Sequence, residues 1–409
     1  MLSAFFPVEA RRAVKVVMLT VHEATSARKV DFHFWTDVLS RRGDQVDFVT
    51  VGMSPLTKLK PQARQFHGPF NTWTEVGPRV RKYLWRPLFH PLSLGKAAID
   101  AVTRPLFALY PSLLSHSLLE GVSDVDVFIV ENGAGLCLVP TLARKFPKAN
   151  FIYSVCDRIA TLNYHPIILE AERAALPFFD LVRVPAEVMV ADYPGARNVQ
   201  YIPHGLDKAV FDEATISPYP QGTRNVVSVG DMLFDAHAIA CMAQAEPDIT
   251  FHLFGKKACL DVTLPNVVTH GEQPFAAIVP YIQHADAGIA PYRSAPNADY
   301  LSQSSMKMIQ YTYNRLPIVA PAFAASSNHM CAYVPGEADS IAAALQRALT
   351  YDRVRIDNSQ VLGWEGVTQR MLAHAAASQS AASAIELPAP IPAMALPAMT
   401  PELGMTAGA

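Results

Sequence analysis

The sequence predicts an α/β protein built from two doubly wound, mostly parallel sheets that face a central cleft. Short β-branched apolar runs alternate with amphipathic stretches through most of the 409 residues, the pattern of strands buried on both faces and wrapped by helices. The pattern starts twice, at residues 14–21 (VKVVMLTV) and again at 225–229 (NVVSV). In the second half, the runs at 225–229, 249–254, 267–270 and 285–291 each break into a Gly or polar loop. Sheets of this kind bind ligands at the carboxyl ends of their strands.

Bulk composition narrows the function. Half the residues are hydrophobic, enough for two cores and too many for wholesale disorder. A net charge of −2 excludes a generally basic nucleic-acid binder. Cys137, Cys156, Cys241, Cys259 and Cys331 are scattered without a CxxC pair, so neither a zinc site nor a disulfide framework is indicated and a reducing, cytoplasmic setting fits. The start MLSAFFPVEARR places its arginines after the apolar residues, so export is not expected. No segment reaches the roughly 20 uninterrupted apolar residues of a membrane span, and a soluble or peripheral protein is expected.

In order, residues 1–13 read as a tail and 14–204 as the first domain. Residues 14–21 form its first strand, 31–43 (DFHFWTDVLSRRG) a helix closed by Gly43, and 45–51 the second strand. The intervening loop has no GxGxxG, so a dinucleotide site is not supported. Between 58 and 104, Lys58, Lys60, Arg64, Arg79, Arg81, Lys82, Arg86, Lys96 and Arg104 face only Glu75 and Asp100, with Trp73, Tyr83, Trp85, Leu88, Phe89, Leu106, Phe107, Tyr110 and Leu114 interleaved or close behind. This mixture suits an anionic membrane surface, each basic residue adding about 1 kcal/mol near the headgroups; a core helix with a basic rim is the alternative. Residues 124–130 (DVDVFIV) read as a strand whose two acids are polar residues at its start rather than a metal-binding DxD. Glu131 at its far end is a cleft candidate beside Gly133 and Gly135.

The strand at 150–155 leads directly into Cys156, Asp157 and Arg158. An aspartate there is placed for general-base work, or it caps the next helix. A strand at 181–184, a helix at 186–193 and the 203–207 stretch close the first domain. The second domain, 205–362, carries the four strands that end in a Gly or polar loop, a helix at 275–284 and an amphipathic helix at 338–349. A helix from 363 to about 378 is expected to return to the first domain, and 379–409, rich in Ala, Pro and Met, reads as a disordered tail.

The most informative stretch is 292–317. Ser304 and Ser305 are N-cap residues, followed at helical spacing by Met306, Ile309, Gln310 and Tyr313 before Asn314, Arg315, Leu316 and Pro317 stop the helix. Lys307 falls in the first turn, where free amide groups already make the end positive. A lysine there is either a solvated side chain or a partner for something anionic, and the preceding strand end favours a diphosphate.

GDMLFD (230–235), THGE (269–272), GIAPY (288–292) and SSMKMIQY (304–311), with HFWTD (33–37), YLWR (83–86), His90–Pro91, Asp157 and HGLD (204–207) in the first half, resemble the motifs of the GumK glucuronosyltransferase family, within the GT-B class of nucleotide-sugar transferases. The resemblance spans about residues 14–375. It implies a cytoplasmic-face, membrane-associated enzyme of exopolysaccharide synthesis with no cofactor. Glucuronic acid would pass from UDP-glucuronate, with inversion and without a metal, to a mannose ending a polyprenyl-diphosphate-linked oligosaccharide. On matching positions, Asp157 would be the base, while Met232, Glu272, Tyr292, Met306, Lys307 and Gln310 would hold the UDP-sugar. Asp207, Asp235 and Ser305 are further cleft candidates. Arg158 and Ile159 depart from the family pattern beside the base. Lys256, Lys257 and Arg293 are candidates for the glucuronate carboxylate. A GT-B transferase of another sugar, a UDP-sugar epimerase and a silent nucleotide-sugar binding module remain alternatives.

Overall fold

Strand β1 (Lys15–Thr20) is apolar on both faces and sits in the middle of an eight-stranded sheet. The computed structural model describes residues 12–26, 29–59, 66 and 68–382. The strands are β1, β2 (Gln45–Thr50), β3 (Trp73–Gly77), β4 (Val80–Leu84), β5 (Val127–Glu131), β6 (Asn150–Ser154), β7 (Leu181–Val184) and β8 (Val199–Tyr201). Their order is β3-β4-β2-β1-β5-β6-β7-β8, and only β3 runs antiparallel to its neighbour. The helices here are α1 (Asp31–Arg41), α2 (Ala97–Ala108), α3 (His116–Gly121), α4 (Val139–Lys145) and α5 (Pro166–Ala175). One face of β1, Val16 and Met18, packs with Phe32, Trp35, Val38 and Leu39 of α1, whose near-helical spacing makes one apolar stripe. The other face, Val17 and Leu19, joins the cluster containing Tyr83, Trp85 and Tyr110.

The second sheet holds β9 (Arg224–Val229), β10 (Ile249–Phe254), β11 (Val267–Gly271), β12 (Ala287–Ile289), β13 (Ile318–Pro321) and β14 (Met330–Tyr333), all parallel in the order β11-β10-β9-β12-β13-β14. Its helices are α6 (Lys208–Asp212), α7 (Ala236–Ala245), α8 (Phe275–His284), α9 (Leu301–Ser304), α10 (Met306–Tyr313) and α11 (Ala338–Leu349). The last helix, α12 (Trp364–Ala382), lies against the first sheet: Trp364, Val367, Met371 and Ala375 join the cluster of Trp35. Trp364 stacks on Phe34 at 4.8 Å between ring centroids. The chain passes between lobes near Leu206 and returns near Gly363. These crossings are bonded, with Leu206 N donating to Leu362 O at 2.9 Å.

Several local expectations change. Residues 187–192 form a 3-10 segment, not the helix read over 186–193, because Ala186 is extended and Pro194 bars a helical Tyr193. The strand expected from residue 124 begins at Val127. Asp124 lies in a turn with φ +52°, and Asp126 accepts from Lys15 N at 2.8 Å, pinning β5 to β1. The basic stretch contains the β3–β4 hairpin. Arg81 there makes a two-pronged pair with Asp47 at 2.9 and 2.8 Å, and Lys82 meets Glu23 at 2.6 Å. Tyr83, Trp85, Phe107 and Tyr110 are core residues. Residues 379–382, expected in the disordered tail, instead continue the last helix to Ala382; Lys60, Arg64, residues 1–11 and 383–409 lie outside the described residues. Among the described residues, no helix is long and apolar enough to cross a membrane.

Candidate active site

Strands β9, β10 and β11 end at one edge, and the chain leaves each through a glycine with positive φ: Gly230 at +83°, Gly255 at +139° and Gly271 at +67°. Their amides stitch the loops together, Gly230 N donating to Phe254 O and Gly255 N to Gly271 O, both at 2.7 Å. A Cβ at Gly255 would lie 3.1 Å from Asp231 Cβ and 3.2 Å from Gly230 C, so a side chain would push the loops apart. In this close approach Asp231 Oδ2 accepts from Lys257 N at 2.8 Å. The loop after β9 is also tied to the one after β12, with Asp235 N donating to Pro291 O at 2.8 Å and Arg293 N to Leu233 O at 2.7 Å.

Helix α10 is aimed at this edge by Tyr311. Its ring fills the space over Gly288, where a Cβ would come within 2.3 Å of it, and its hydroxyl bonds to Val229 N and Val227 O at 3.0 and 3.3 Å. Ser305 is the N-cap, accepting from Met308 N at 3.4 Å, and its Oγ shares a 2.5 Å hydrogen bond with the Tyr292 hydroxyl. Burial pushes that phenol up to about 12. Lys307 Nζ lies 4.9 Å from the Tyr292 ring centroid and donates to Gly230 O at 3.4 Å. The side chain is half-buried, but its ammonium end is enclosed; burial pulls the lysine down to about 8, against the opposing pull of Asp231. One helical turn on, Gln310 is buried, and its Oε1 takes no hydrogen bond among the described residues. Buried polar atoms ordinarily have partners, so this one fits a polar ligand. Met306 packs toward the first-domain cluster that contains Val16 and Trp364.

Asp157 follows β6 on the facing lobe and does not cap a helix. The short turn at Ile159–Thr161 is preceded instead by Arg158, which makes no side-chain cap. Asp157 Oδ1 accepts from the Tyr300 hydroxyl at 2.8 Å, a bond that crosses between the lobes. Arg158 reinforces the crossing: Nε donates to Asp192 Oδ2 at 2.7 Å, and Nη1 to Asp299 Oδ1 at 2.6 Å and Asn297 O at 3.0 Å. Glu187 N adds a bond to Gln303 Oε1 at 2.6 Å. Asp157 and Lys307 are thereby joined through one segment of chain, residues 292–307.

The other named residues divide. Met232 and Glu272 are exposed on the loops after β9 and β11. Glu131 is buried and committed within its own lobe, with Oε2 accepting from Thr20 Oγ1 and from Val21 N at 3.0 Å while Oε1 lies 3.2 Å from His22 Nε2. Asp235 caps α7 through Ala238 N at 3.2 Å. Asp207 is exposed ahead of α6 without a side-chain cap bond. Lys256, Lys257 and Arg293 are exposed at the same strand edge. Among the described residues, no three His, Cys, Asp or Glu side chains are grouped to hold a metal ion. Sequence reasoning missed Tyr300, Asp299, Gln303 and Asp231. The first three stand just before the capped helix, Asp299 and Tyr300 in the loop and Gln303 in α9, but nothing in their spacing marks a contact with residues 110 or more positions away.

Residues 18–185 match the family described as glucuronosyltransferase GumK, N-terminal domain. The UDP-glucuronate:glycolipid 2-beta-glucuronosyltransferase of Xanthomonas campestris pv. campestris is 32% identical over 359 residues, covering 87% of this chain and 88% of that protein. Among solved structures, an alpha,alpha-trehalose 6-phosphate synthase from Burkholderia multivorans aligns with TM-score 0.56 and 11% identity, over 93% of this chain and 100% of that one. A glycosyltransferase from Rickettsia africae ESF-5 aligns with TM-score 0.55 and 11% identity, over 90% and 99%. At such identities the structural likeness speaks to architecture alone, which is GT-B. The sequence match covers 87% of the chain, more than the first lobe alone, and on it the chain belongs to the GumK family of glucuronosyltransferases.

Proposed function

We propose that this protein transfers glucuronic acid from UDP-glucuronate to the terminal mannose of a polyprenyl-diphosphate-linked oligosaccharide, inverting the anomeric centre without a metal ion. The observation that carries the reading is the meeting of Asp157 with the segment that bears Tyr292, Ser305 and Lys307. In the reaction, the acceptor hydroxyl gives its proton to Asp157 Oδ2 while its oxygen forms the new bond to C1 of the sugar. The bond from C1 to the β-phosphate oxygen breaks, and its electron pair leaves with UDP. The charge that develops there is met by Lys307 and the amide end of α10. A positioned base contributes about 10² to 10⁴ in rate. Attack opposite the departing nucleotide turns an α-linked donor into a β product.

The membrane-facing element is assigned to α2 and the loop before it. Of α2, only Asp100 and Phe107 are buried. Leu88 (76% exposed), Leu94, Ile99, Val102 (80%), Leu106 and Leu109 leave an aliphatic surface beside exposed Lys96, while Arg104 is paired with Glu170 at 3.0 and 2.7 Å. The docking residues are thus aliphatic, and most of the interleaved aromatics support them from below. Peripheral docking there would bring the lipid-linked acceptor to the cleft at the cytoplasmic face of a bacterial inner membrane, in exopolysaccharide synthesis.

The test is a panel of UDP-sugars with membrane lipid extract, scored for labelled lipid-linked product, with product configuration read by NMR. UDP-glucuronate is expected to label a β-linked lipid product. Asp157→Ala is expected to remove turnover while leaving UDP affinity nearly intact. An α product, or wild-type turnover in Asp157→Ala, would end the mechanism. Isomerisation of the UDP-sugar without acceptor would favour an epimerase instead. Flotation with anionic vesicles at low salt tests the docking surface, and failure to bind would remove it.

A further inference from the structure

We propose that Tyr300 is the positioning residue of the base: it is delivered across the cleft by the donor-binding segment and holds Asp157 Oδ1 so that Oδ2 alone faces the acceptor hydroxyl. The proposal rests on the base reading of Asp157 above and adds a residue to it. Three observations on different atoms carry it.

The Tyr300 hydroxyl donates to Asp157 Oδ1 at 2.8 Å, and among the described residues Oδ2 takes no hydrogen bond. Tyr300 is 7% exposed, and both burial and the Asp157 charge push its phenol well above the usual range. It therefore remains a donor and cannot compete for the proton that Asp157 is to take.

Arg158 then brackets the tyrosine. Its guanidinium bonds Asn297 O and Asp299 Oδ1 ahead of Tyr300, lies 5.7 Å from the Tyr300 ring centroid, and is itself anchored by Asp192.

The segment that carries Tyr300 begins and ends in the nucleotide site. Tyr292 lies at one end and Ser305 and Lys307 at the other, closed into a loop by the Tyr292 to Ser305 hydrogen bond. Tyr300 is therefore carried on the same closed segment as the side chains assigned to the nucleotide, which fixes the distance from its hydroxyl to the donor site.

The experiment is Tyr300→Phe, which keeps the ring and its packing and removes one hydroxyl, measured beside Asp157→Ala in the full chain. UDP affinity by calorimetry is expected to stay within about twofold of wild type, since no donor contact is lost. The kcat is expected to fall about ten- to hundredfold, as for a reacting group left free to turn away. The KM for UDP-glucuronate is expected to stay near the wild-type value, so that the loss falls on kcat alone. A wild-type kcat overturns the proposal. A lowered kcat accompanied by a matching loss of UDP affinity also overturns it, since a purely structural role would give that result. If Asp157→Ala is inactive while Tyr300→Phe behaves as wild type, only this proposal falls. If Asp157→Ala keeps its turnover, the base reading falls and takes this one with it.

Discussion

Lys307 offers the sharpest quantitative test of the donor site. Burial holds its ammonium down at about 8 in the protein without nucleotide. Only the protonated form attracts a diphosphate, so affinity for UDP is present below that value and is lost as pH rises through it. The protonated fraction falls from about nine-tenths at pH 7 to about one-tenth at pH 9, so UDP affinity should drop about tenfold over that interval. A bound diphosphate favours the charged lysine, so binding near pH 8 should also take up a proton, visible as a dependence of the calorimetric enthalpy on the buffer. Lys307→Met removes a charge-assisted contact worth about 1.5–3 kcal/mol and should weaken UDP about ten- to hundredfold at pH 7. Because the nucleotide's own titration is the same for both proteins, the difference between wild type and Lys307→Met isolates the lysine. Lys307→Arg keeps a charge that does not titrate here and should remove the slope. Equal slopes in wild type and Lys307→Met would refute the assignment of the diphosphate to this side chain.

Two further predictions concern the frame of the second lobe. Gly288→Ala places a Cβ within 2.3 Å of the Tyr311 ring. Overpacking of this kind costs about 1–3 kcal/mol, and because Tyr311 anchors α10, UDP affinity should fall along with the denaturation midpoint; an unchanged midpoint would count against the packing argument. His252 lies in the ring cluster of His270, Phe254, Tyr219 and Tyr281, donates to Asn225 Oδ1 at 3.1 Å and accepts from His270 at 3.0 Å. Burial and the neighbouring His270 lower it to about 4. The folded state therefore prefers neutral His252, and the contribution is complete above the unfolded value near 6.5 and drains away as pH falls toward 4. After allowance for solvent screening this is about 1 kcal/mol lost by pH 5. Thermal melts of wild type and His252→Phe between pH 7.5 and 5 should diverge, and parallel curves would contradict it.

The parallel strands were legible because each is a short apolar run ended by a turn residue, and β7, β10, α8 and α11 fall on the residues read from the sequence. The β3–β4 hairpin was not. Arg81 and Lys82 sit side by side in β4, and the acids that neutralise them, Asp47 and Glu23, come from β2 and the loop after β1. A linear count sees a basic stretch where the fold makes a paired edge. At the cleft, Ser305 announced itself as a cap and Lys307 as a misplaced cation, since both signals are local to one helical turn. Glu131 and Asp235 look equivalent to Asp157 in sequence, each following a strand. What separates them is where the carboxylate's partners come from: Glu131 and Asp235 are taken up by Val21, Thr20 and Ala238 of their own lobes, whereas Asp157 is met by Tyr300 from the other lobe. Tyr300 was invisible for the same reason, as its partner is 143 positions away.

The bonded crossings at Leu206 and Leu362 act as a single rivet. Where the two passes of the chain between the lobes are bonded to each other, sliding of one lobe past the other is resisted at that place. Gly205 leaves room there for Trp364, whose ring a Cβ would meet at 2.6 Å, so the rivet and the last helix are seated together. Removing that helix would uncover Trp35 and unsettle the lobe that holds Asp157, at the far end of the chain from the strands it protects.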